Sequence, residues 1–326
     1  MIAIRPRGFP MISDGSSGAI STRPGRILVA IDGSASSAQA MTYARNIVPS
    51  GGQVCIVTVA DNPRTLVPTG AATAAYLDSA RAELLQDAVA VLGKARDAFA
   101  RSDVHVETEV IDLSKRSGDV VHALLDIART WQAELVVVGA RQHHGLLRWL
   151  EGAVSEPLAR QTGCPIIIVP DGCGSVVEHA PRRILFATDG SPPALRAMRF
   201  GIRYASADTA LRAVYVVDRV VRLTDFVPID VLENAFVEEG ERVLAAAASV
   251  LAEVSEHAGT ALVHTQRTGD DVSQTIVREA TAWRADLIVM GSHGRRGIAG
   301  WMLGSVALHV ARITRVPLLL VNARET

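Results

Sequence analysis

The sequence predicts an α/β protein made of two tandem doubly wound domains, each a five-stranded parallel sheet with helices on both faces. Three observations support this prediction. The length of 326 residues corresponds to about two domains at roughly 150 residues per domain. Strand-like segments alternate with helical segments, which is typical of a parallel sheet. A long internal repeat relates the two halves of the chain.

The repeat is visible in two stretches of sequence. The segment Arg26–Ser34 recurs as Arg183–Ser191, 157 residues later. Residues 139–169 recur as 291–321 at an offset of 152 residues, with ten identical positions and no gap. Because so many matches in 31 positions are hard to reach by chance, we interpret the chain as a duplication whose second copy has one shorter connection.

Each copy contains five predicted strands. They lie at 26–31, 53–59, 104–110, 134–138 and 165–169 in the first copy, and at 183–188, 211–217, 261–266, 286–290 and 317–321 in the second. Leu135–Val138 and Leu287–Met290 are continuously apolar, as parallel strands buried on both faces are. Helices are predicted in the second copy near 192–205, 230–258, 271–284 and 305–314. Asp119 and Asp270 are predicted to cap the helices that follow them.

The domain boundaries follow from composition. The first domain is predicted to span 25–170 and the second 183–326. The segment 171–182 contains Gly172, Gly174 and Pro181 and is predicted to be a linker. Residues 1–24 are predicted to form a loose N-terminal arm.

Charge and composition exclude several classes of function. The 33 Lys plus Arg and 34 Asp plus Glu nearly cancel, which gives no support to a nucleic-acid footprint or a polybasic membrane patch. No apolar run approaches the roughly 18 residues of a membrane helix, and the N-terminal residues lack the apolar core of a secretory signal. A cytoplasmic protein is therefore expected. Neither of its lysines, Lys94 and Lys115, follows a glycine-rich loop, which excludes a P-loop.

A glycine-rich segment follows the strand at 286–290. It consists of Gly291, Gly294, nine further residues and then Gly304-Ser305 at the start of a predicted helix. Glycines let a ligand approach backbone N–H groups, and a helix N-terminus attracts phosphate. Arg295 and Arg296 add charged donors. Alternatively the glycines form a tight turn and Ser305 only caps the helix.

Two further residues lie at the carboxyl ends of predicted strands in the second copy. Asp189 ends the strand at 183–188, where a carboxylate can accept hydrogen bonds from ribose hydroxyls. It can also cap the helix that begins at Pro192, and both roles can hold at once. Val216 offers an apolar wall and backbone polar groups for a flat base, although its spacing alone indicates a core strand valine.

At these residues the sequence resembles the universal stress protein family, specifically its tandem two-domain members, from about residue 25 to 323. The most specific element is the ATP-binding pattern Gly-x2-Gly-x9-Gly-Ser/Thr, which Gly291, Gly294, Gly304 and Ser305 match without a gap. The resemblance implies strand order 3-2-1-4-5 in each domain. It also implies that the domains pair through their last strands, Pro165–Val169 and Pro317–Val321.

The resemblance further implies how ATP is held. Adenine is expected at the backbone of Val216, ribose near Asp189 and Gly291, and the phosphates over the later glycines, usually with Mg²⁺ bound through the phosphates and no direct protein ligand. The expected ATP-binding residues are Ala187, Thr188, Asp189, Val216, Met290, Gly291, His293, Gly294, Arg295, Gly304, Ser305 and Val306. No catalytic residue is expected.

The first copy departs from this pattern. Gln142 replaces the second glycine, Ala153 replaces the serine, and Glu151 adds a negative charge where the second copy has Leu303. The motif positions that it retains are Asp32, Val59, Gly139 and Gly152. We therefore expect the first domain to bind ATP weakly or not at all, with adenosine or AMP as the remaining alternative.

The leading functional hypothesis is a cytoplasmic stress-response protein in which ATP in the second domain regulates association with an unidentified protein partner. Hydrolysis needs an oriented water and a base, and no base is evident, so a slow ATP-hydrolysing enzyme is the runner-up. A scaffold without ligand is the third hypothesis. Whether whole chains also form a homodimer stays open.

Overall fold

The computed structural model describes residues 23–63, 74–100, 103–116, 118–140, 154–174, 178–219, 229–266, 270–294 and 303–322. Within these ranges the chain forms ten β-strands and eight α-helices, and strands and helices alternate within each copy. In the first copy they are β1 (Arg26–Ala30), α1 (Ala35–Ile47), β2 (Gln53–Ala60), α2 (Ala74–Phe99), β3 (His105–Asp112), α3 (Val120–Thr130), β4 (Leu135–Ala140), α4 (Ser155–Gln161) and β5 (Ile166–Pro170).

The second copy repeats this succession. Its elements are β6 (Arg183–Ala187), α5 (Pro192–Gly201), β7 (Ala210–Val217), α6 (Ile229–Ala252), β8 (Ala258–His264), α7 (Val272–Ala282), β9 (Leu287–Gly291), α8 (Ser305–Ile313) and β10 (Leu318–Val321). A short 3₁₀ turn, Ile202–Tyr204, follows α5. The α/β fold class and the tandem duplication are therefore confirmed.

All ten strands belong to one sheet, in the order β3-β2-β1-β4-β5-β10-β9-β6-β7-β8. Within each copy the order is the expected 3-2-1-4-5 and neighbouring strands are parallel. The two copies join where β5 pairs with β10 in antiparallel orientation, with Ile167 opposite Leu319. The pairing of the two domains through their last strands is therefore present in the fold.

Helices cover both faces of the sheet. One apolar core lies under α1, α2, α5 and α6 and contains Tyr43 and Ala197; the other lies under α3, α4, α7 and α8 and contains Leu124 and Val310. Strand side chains alternate between the two cores. Both cores contain residues of both copies.

The structure differs from the sequence prediction around β8. The helix α6 ends at Ala252, not near 258, and β8 begins at Ala258, not 261. Ser255 explains the early end, because its Oγ donates to the carbonyl oxygens of Ala207 and Thr209 at 2.9 and 2.7 Å. These bonds hold the chain in a turn while the apolar spacing continues.

The two predicted helix caps have different outcomes. Asp119 caps α3, as predicted, by accepting from the N–H of His122 at 2.9 Å. The prediction for Asp270 is wrong, since Asp271 caps α7. The carboxylate of Asp270 instead accepts from the N–H of Gln266 at 2.8 Å and from Thr275 Oγ1 at 2.9 Å, so it braces the turn before the cap.

Residues 1–22 of the predicted arm lie outside the described residues. The first described residue, Arg23, donates from Nη2 to the carbonyl oxygen of Tyr204 at 3.3 Å, so the chain just before β1 is tied to the second copy. In the described part of the chain, every helix is too short or too polar to span a membrane.

Candidate functional site

The candidate site lies where β6 and β9 end side by side. Ala187 pairs with Met290 at the end of this ladder, and the next residues are Thr188 and Gly291. The chain leaves β6 for α5 on one face of the sheet and leaves β9 for α8 on the other. A crevice forms at such a switch point because the two connections diverge.

The turn after β6 is built from hydrogen bonds between its own residues. Asp189 Oδ1 accepts from the N–H of Ser191 at 3.0 Å, and Thr188 Oγ1 accepts from the N–H of Gly190 at 3.2 Å. The cap of α5 is Ser191, whose Oγ accepts from the N–H of Ala194. The alternative that Asp189 caps this helix is therefore wrong, and its carboxylate orders the turn instead.

The loop after β9 packs directly against this turn. A Cβ atom at Gly294 would lie 2.6 Å from Asp189 Oδ2, and one at Gly291 would lie 3.0 Å from the carbonyl carbon of Pro193. Only a residue without a side chain fits such approaches without a shift of the neighbours. The two glycines thus bring the backbone of the loop beside the Asp189 carboxylate and the first turn of α5.

The start of α8 is anchored on the same loop. The N–H of Gly304 donates to the carbonyl oxygen of Ser292 at 2.8 Å, and the N–H of Ser292 donates to that of Val321 at 3.0 Å. Gly304 occupies the N-cap position, and no side chain among the described residues caps the helix. Ser305 is the exposed first residue of α8, so the alternative that it caps the helix is wrong.

The first turn of α8 therefore offers an anion site. Helix N-terminal N–H groups have no partner within the helix, and the helix dipole is positive at this end. Ser305 and Val306 carry such groups, and Val306 is half-buried beside Leu303. The geometry suits a phosphate or carboxylate group better than a cation.

His293 lies within the loop and is half-buried. Its Nδ1 is 2.9 Å from Ser292 Oγ, while its Nε2 is buried and has no hydrogen-bond partner among the described residues. Burial lowers the pKa of the imidazole below 6.5, so the ring is neutral at pH 7. Ser292 was not predicted as a site residue, because the motif leaves the residue after Gly291 unspecified.

Val216 lies on the adjacent strand β7. The N–H of Thr188, just after β6, donates to the carbonyl oxygen of Val214 at 3.0 Å. The N–H of Thr265, just after β8, donates to the carbonyl oxygen of Val217 at the same distance. Carbonyl groups point alternately to the two sides of a strand. The carbonyl group of Val216 therefore points toward β6, as that of Val214 does. Because β6 ends at Ala187, opposite Val214, the backbone of Val216 faces the crevice beyond that end.

The comparisons with known proteins agree with this architecture. The model of the universal stress protein family matches residues 24–170 and 181–322. The chain belongs to the universal stress protein family. A universal stress protein of Mycobacterium tuberculosis is 32% identical over 191 residues, which cover 58% of this chain and 61% of that protein. The chain thus matches less than two thirds of the length of this relative.

A solved structure shows the same fold. A universal stress protein from Archaeoglobus fulgidus superposes with a TM-score of 0.62 and 17% identity, covering 92% of this chain and 97% of that one. A universal stress protein solved in complex with cAMP is 27% identical, covers 44% of this chain and 99% of that one, and has a TM-score of 0.34.

The first universal stress domain keeps the corresponding turn. Asp32 Oδ1 accepts from the N–H of Ser34 at 3.0 Å, and Ser34 caps α1. A Cβ atom at Gly139 would lie 2.5 Å from the backbone of Ser36, and Val59 is half-buried on β2. The residues of both site predictions that lie outside the described residues are Gln142, Glu151, Gly152, Ala153, Arg295 and Arg296.

Direct metal coordination has no visible basis in the part of the chain that the structure describes. In those ranges no group of three or more His, Cys, Asp or Glu side chains is placed to hold a metal ion. The chemistry of the crevice is that of backbone donors, one carboxylate and a neutral imidazole.

Proposed function

We propose that the chain is an ATP-binding regulatory module in which the second universal stress domain holds the nucleotide. The observation that supports this best is the start of α8, which lies against the Gly291–Gly294 loop with no side-chain cap among the described residues. Exposed N–H groups at a helix start that faces a crevice suit phosphate. In this protein they replace the lysine of a P-loop.

Each part of the nucleotide then has a counterpart in the crevice. The phosphates lie over Gly294, Gly304, Ser305 and Val306, and Arg295 adds charge. The ribose lies near Asp189 and Gly291, beside Ala187, Thr188, Met290 and His293. The adenine edge meets the backbone of Val216. A divalent cation such as Mg²⁺ would bind through the phosphates and offset their charge.

The first domain is proposed to bind ATP weakly or not at all. Gln142 and Ala153 remove the glycine and the hydroxyl, and Glu151 repels a triphosphate at close range. AMP or adenosine would avoid most of that repulsion. We propose the domain limits 25–170 and 183–326 with a linker at 171–182. We also propose a cytoplasmic stress-response role through a protein partner.

His293 favours a second candidate function, slow ATP hydrolysis. Its unpartnered Nε2 can accept a proton from water only in the tautomer in which Nδ1–H donates to Ser292 Oγ. In the other tautomer Nε2 carries the proton and can only donate. Released ADP with steady phosphate production, abolished in a His293→Asn variant, would identify the protein as an enzyme.

A matched pair of variants tests the nucleotide site. Freshly purified protein is denatured, and the released nucleotide is identified by mass and quantified per chain. Ser305→Asp places a carboxylate beside the phosphates, yet an acidic residue in a first helical turn favours the helix, so the fold is preserved. Ala153→Asp makes the same change at the aligned position of the first copy.

About one ATP per chain is expected from the wild type and from Ala153→Asp, and almost none from Ser305→Asp. ATP at about 100 times its dissociation constant adds roughly 2.7 kcal/mol to the free energy of unfolding, so the melting temperature rises in the first two proteins only. ATP retained by Ser305→Asp, or a wild type that is empty and not stabilised by ATP, contradicts the proposal.

A further inference from the structure

A cavity of about 360 Å³ lies at the amino-terminal ends of the strands, opposite the ends that form the crevice. Its wall includes Arg182 and Thr209, the residues just before β6 and β7, and Tyr204 in the 3₁₀ turn. Arg23 and His179 complete it from the segment before β1 and from the connection between the two domains. Its size is within the range of small-molecule sites.

The side chains of this junction cavity carry mainly positive charge. Arg23 and Arg182 line the cavity together with a single acidic residue, Asp208. Neither arginine forms an ion pair with a carboxylate among the described residues. His179 donates from Nδ1 to the carbonyl oxygen of Ala180 at 2.9 Å, so this N–H group is not available to a ligand. Unpaired arginines beside a cavity are suited to bind oxyanions.

Tyr204 provides an independent observation. The residue lines the cavity and is only 1% exposed. Its hydroxyl is buried and has no hydrogen-bond partner among the described residues. Buried polar groups in native proteins almost always have a partner, and an exception points to a bound water, a bound ion or a functional role. An acceptor atom of a bound ligand would supply the missing partner.

The internal duplication shows that polar side chains at these positions are particular to the second copy. The segments around β1-α1-β2 and β6-α5-β7 align without a gap. At the positions of Arg182, Tyr204, Asp208 and Thr209, the first copy has Gly25, Ile47, Gly51 and Gly52. The first copy turns here through Gly51 at a φ of 72°, whereas in the second copy Thr209 Oγ1 accepts from the N–H of Ser206 at 2.8 Å. The arginine, the tyrosine and the aspartate have no polar counterpart in the first copy.

We propose that the junction cavity binds a small oxyanion, either a phosphate or a carboxylate group of a metabolite. Arg23 and Arg182 donate charged hydrogen bonds to it, and the Tyr204 hydroxyl completes the site. Because Arg23 precedes the first domain and Arg182 leads into the second, the ligand bridges the two domains at a point remote from the nucleotide crevice. The inference is independent of the proposed ATP site.

Calorimetric titration of the full chain tests this site, with inorganic phosphate and citrate as separate probes. Arg182→Ala and Arg23→Ala should each weaken binding at least tenfold, while Arg182→Lys should retain part of the affinity. Tyr204→Phe should weaken binding without loss of the fold, because the ring stays in place. Arg199→Ala is the control, since Arg199 is exposed on α5 and outside the cavity.

The outcomes separate this site from the nucleotide crevice. Binding of either probe that is weakened by Arg182→Ala but not by Ser305→Asp supports the proposal, and the stronger probe identifies the ligand class. Phosphate binding that is lost in Ser305→Asp and unchanged in Arg182→Ala belongs to the crevice and overturns it. Absence of binding by both probes, or an equal effect of Arg199→Ala, also overturns it.

Discussion

At the scale of single residues, the crevice depends on Gly291. The backbones of His293 and Pro193 pack closely against it from two sides. A Cβ atom there would lie 3.0 Å from the carbonyl oxygen of His293 and 3.0 Å from the carbonyl carbon of Pro193. Both neighbours are backbone atoms, so neither can rotate away. Relief would require the loop and the first turn of α5 to separate.

We therefore expect Gly291→Ala to lower the free energy of unfolding by about 1–3 kcal/mol, the usual cost of overpacking. Gly259→Ala is the matched control, because a Cβ atom at Gly259 on β8 meets nothing within 4 Å. The control should be neutral or more stable by about 0.4–1 kcal/mol, since alanine restricts the unfolded chain. Urea denaturation measures both. Equal stability of the two variants would show that the loop yields easily.

Single residues also show what the sequence could and could not predict at the site. The glycine spacing predicts the loop, because spacing is a property of the sequence itself. Asp189 was one candidate cap of α5, and Asp and Ser are both good caps. Only the hydrogen bond between Ser191 Oγ and the N–H of Ala194 distinguishes them. The contact of Gly294 with Asp189 joins distant segments and has no local signature.

At the scale of elements, the helices α4 and α8 meet across the junction of the two domains through one carboxylate. Glu156 Oε1 accepts from Arg160 Nη2 at 2.7 Å, and Oε2 accepts from Arg312 Nη2 at 2.7 Å. Arg160 and Arg312 are equivalent in the repeat, but Leu308 stands at the position equivalent to Glu156. A single acidic residue therefore serves both arginines.

Glu156→Gln should lower the free energy of unfolding by about 1 kcal/mol, because two partly exposed pairs are lost together. Burial raises the pKa of Glu156, but the hydrogen bonds from Arg312 and Arg160 outweigh it, and the net shift is downward from 4.5. The contribution is thus complete above about pH 4.5 and is lost as the pH falls through the lower pKa of the folded state.

Chemical denaturation at pH 7 and pH 3 measures this difference. The control is Asp126→Asn, whose partner Arg129 is 77% exposed, and it should change stability by only a few tenths of a kcal/mol. High salt should narrow the gap between the two variants. A loss from Glu156→Gln that is the same at both pH values would contradict the assigned ion pairs.

The elements themselves were largely predictable. Strands such as Leu135–Val138 are 0–3% exposed, and such complete burial requires the continuous apolar run that the sequence displays. The end of α6 was not predictable, because it depends on Ser255 Oγ bonding to carbonyl oxygens 46 and 48 residues away. The strand order came from the family resemblance, because apolar patterns do not encode which strands are neighbours.

At the scale of the whole molecule, the two domains share one sheet and both apolar cores. Ile167 and Leu319 face each other at the centre of the junction and are both fully buried. The core under α1 and α5 contains Val29 from the first domain and Phe186 from the second. The interface is therefore an uninterrupted part of the sheet, with the same packing as the interior of either domain.

This continuity predicts cooperative unfolding. Chains of two domains often unfold in two steps, but separation here would expose the β5 and β10 edges and their apolar side chains together. We expect one calorimetric transition, with a ratio of calorimetric to van't Hoff enthalpy of about 1.

The double variant Ile167→Ala and Leu319→Ala tests this coupling. Each truncation costs about 2–5 kcal/mol, and together they should weaken the junction enough to split the transition in two. Two transitions already in the wild type would show that the domains are energetically independent. ATP would then raise the temperature of the second domain's transition only. In a coupled sheet ATP raises the temperature of the single transition.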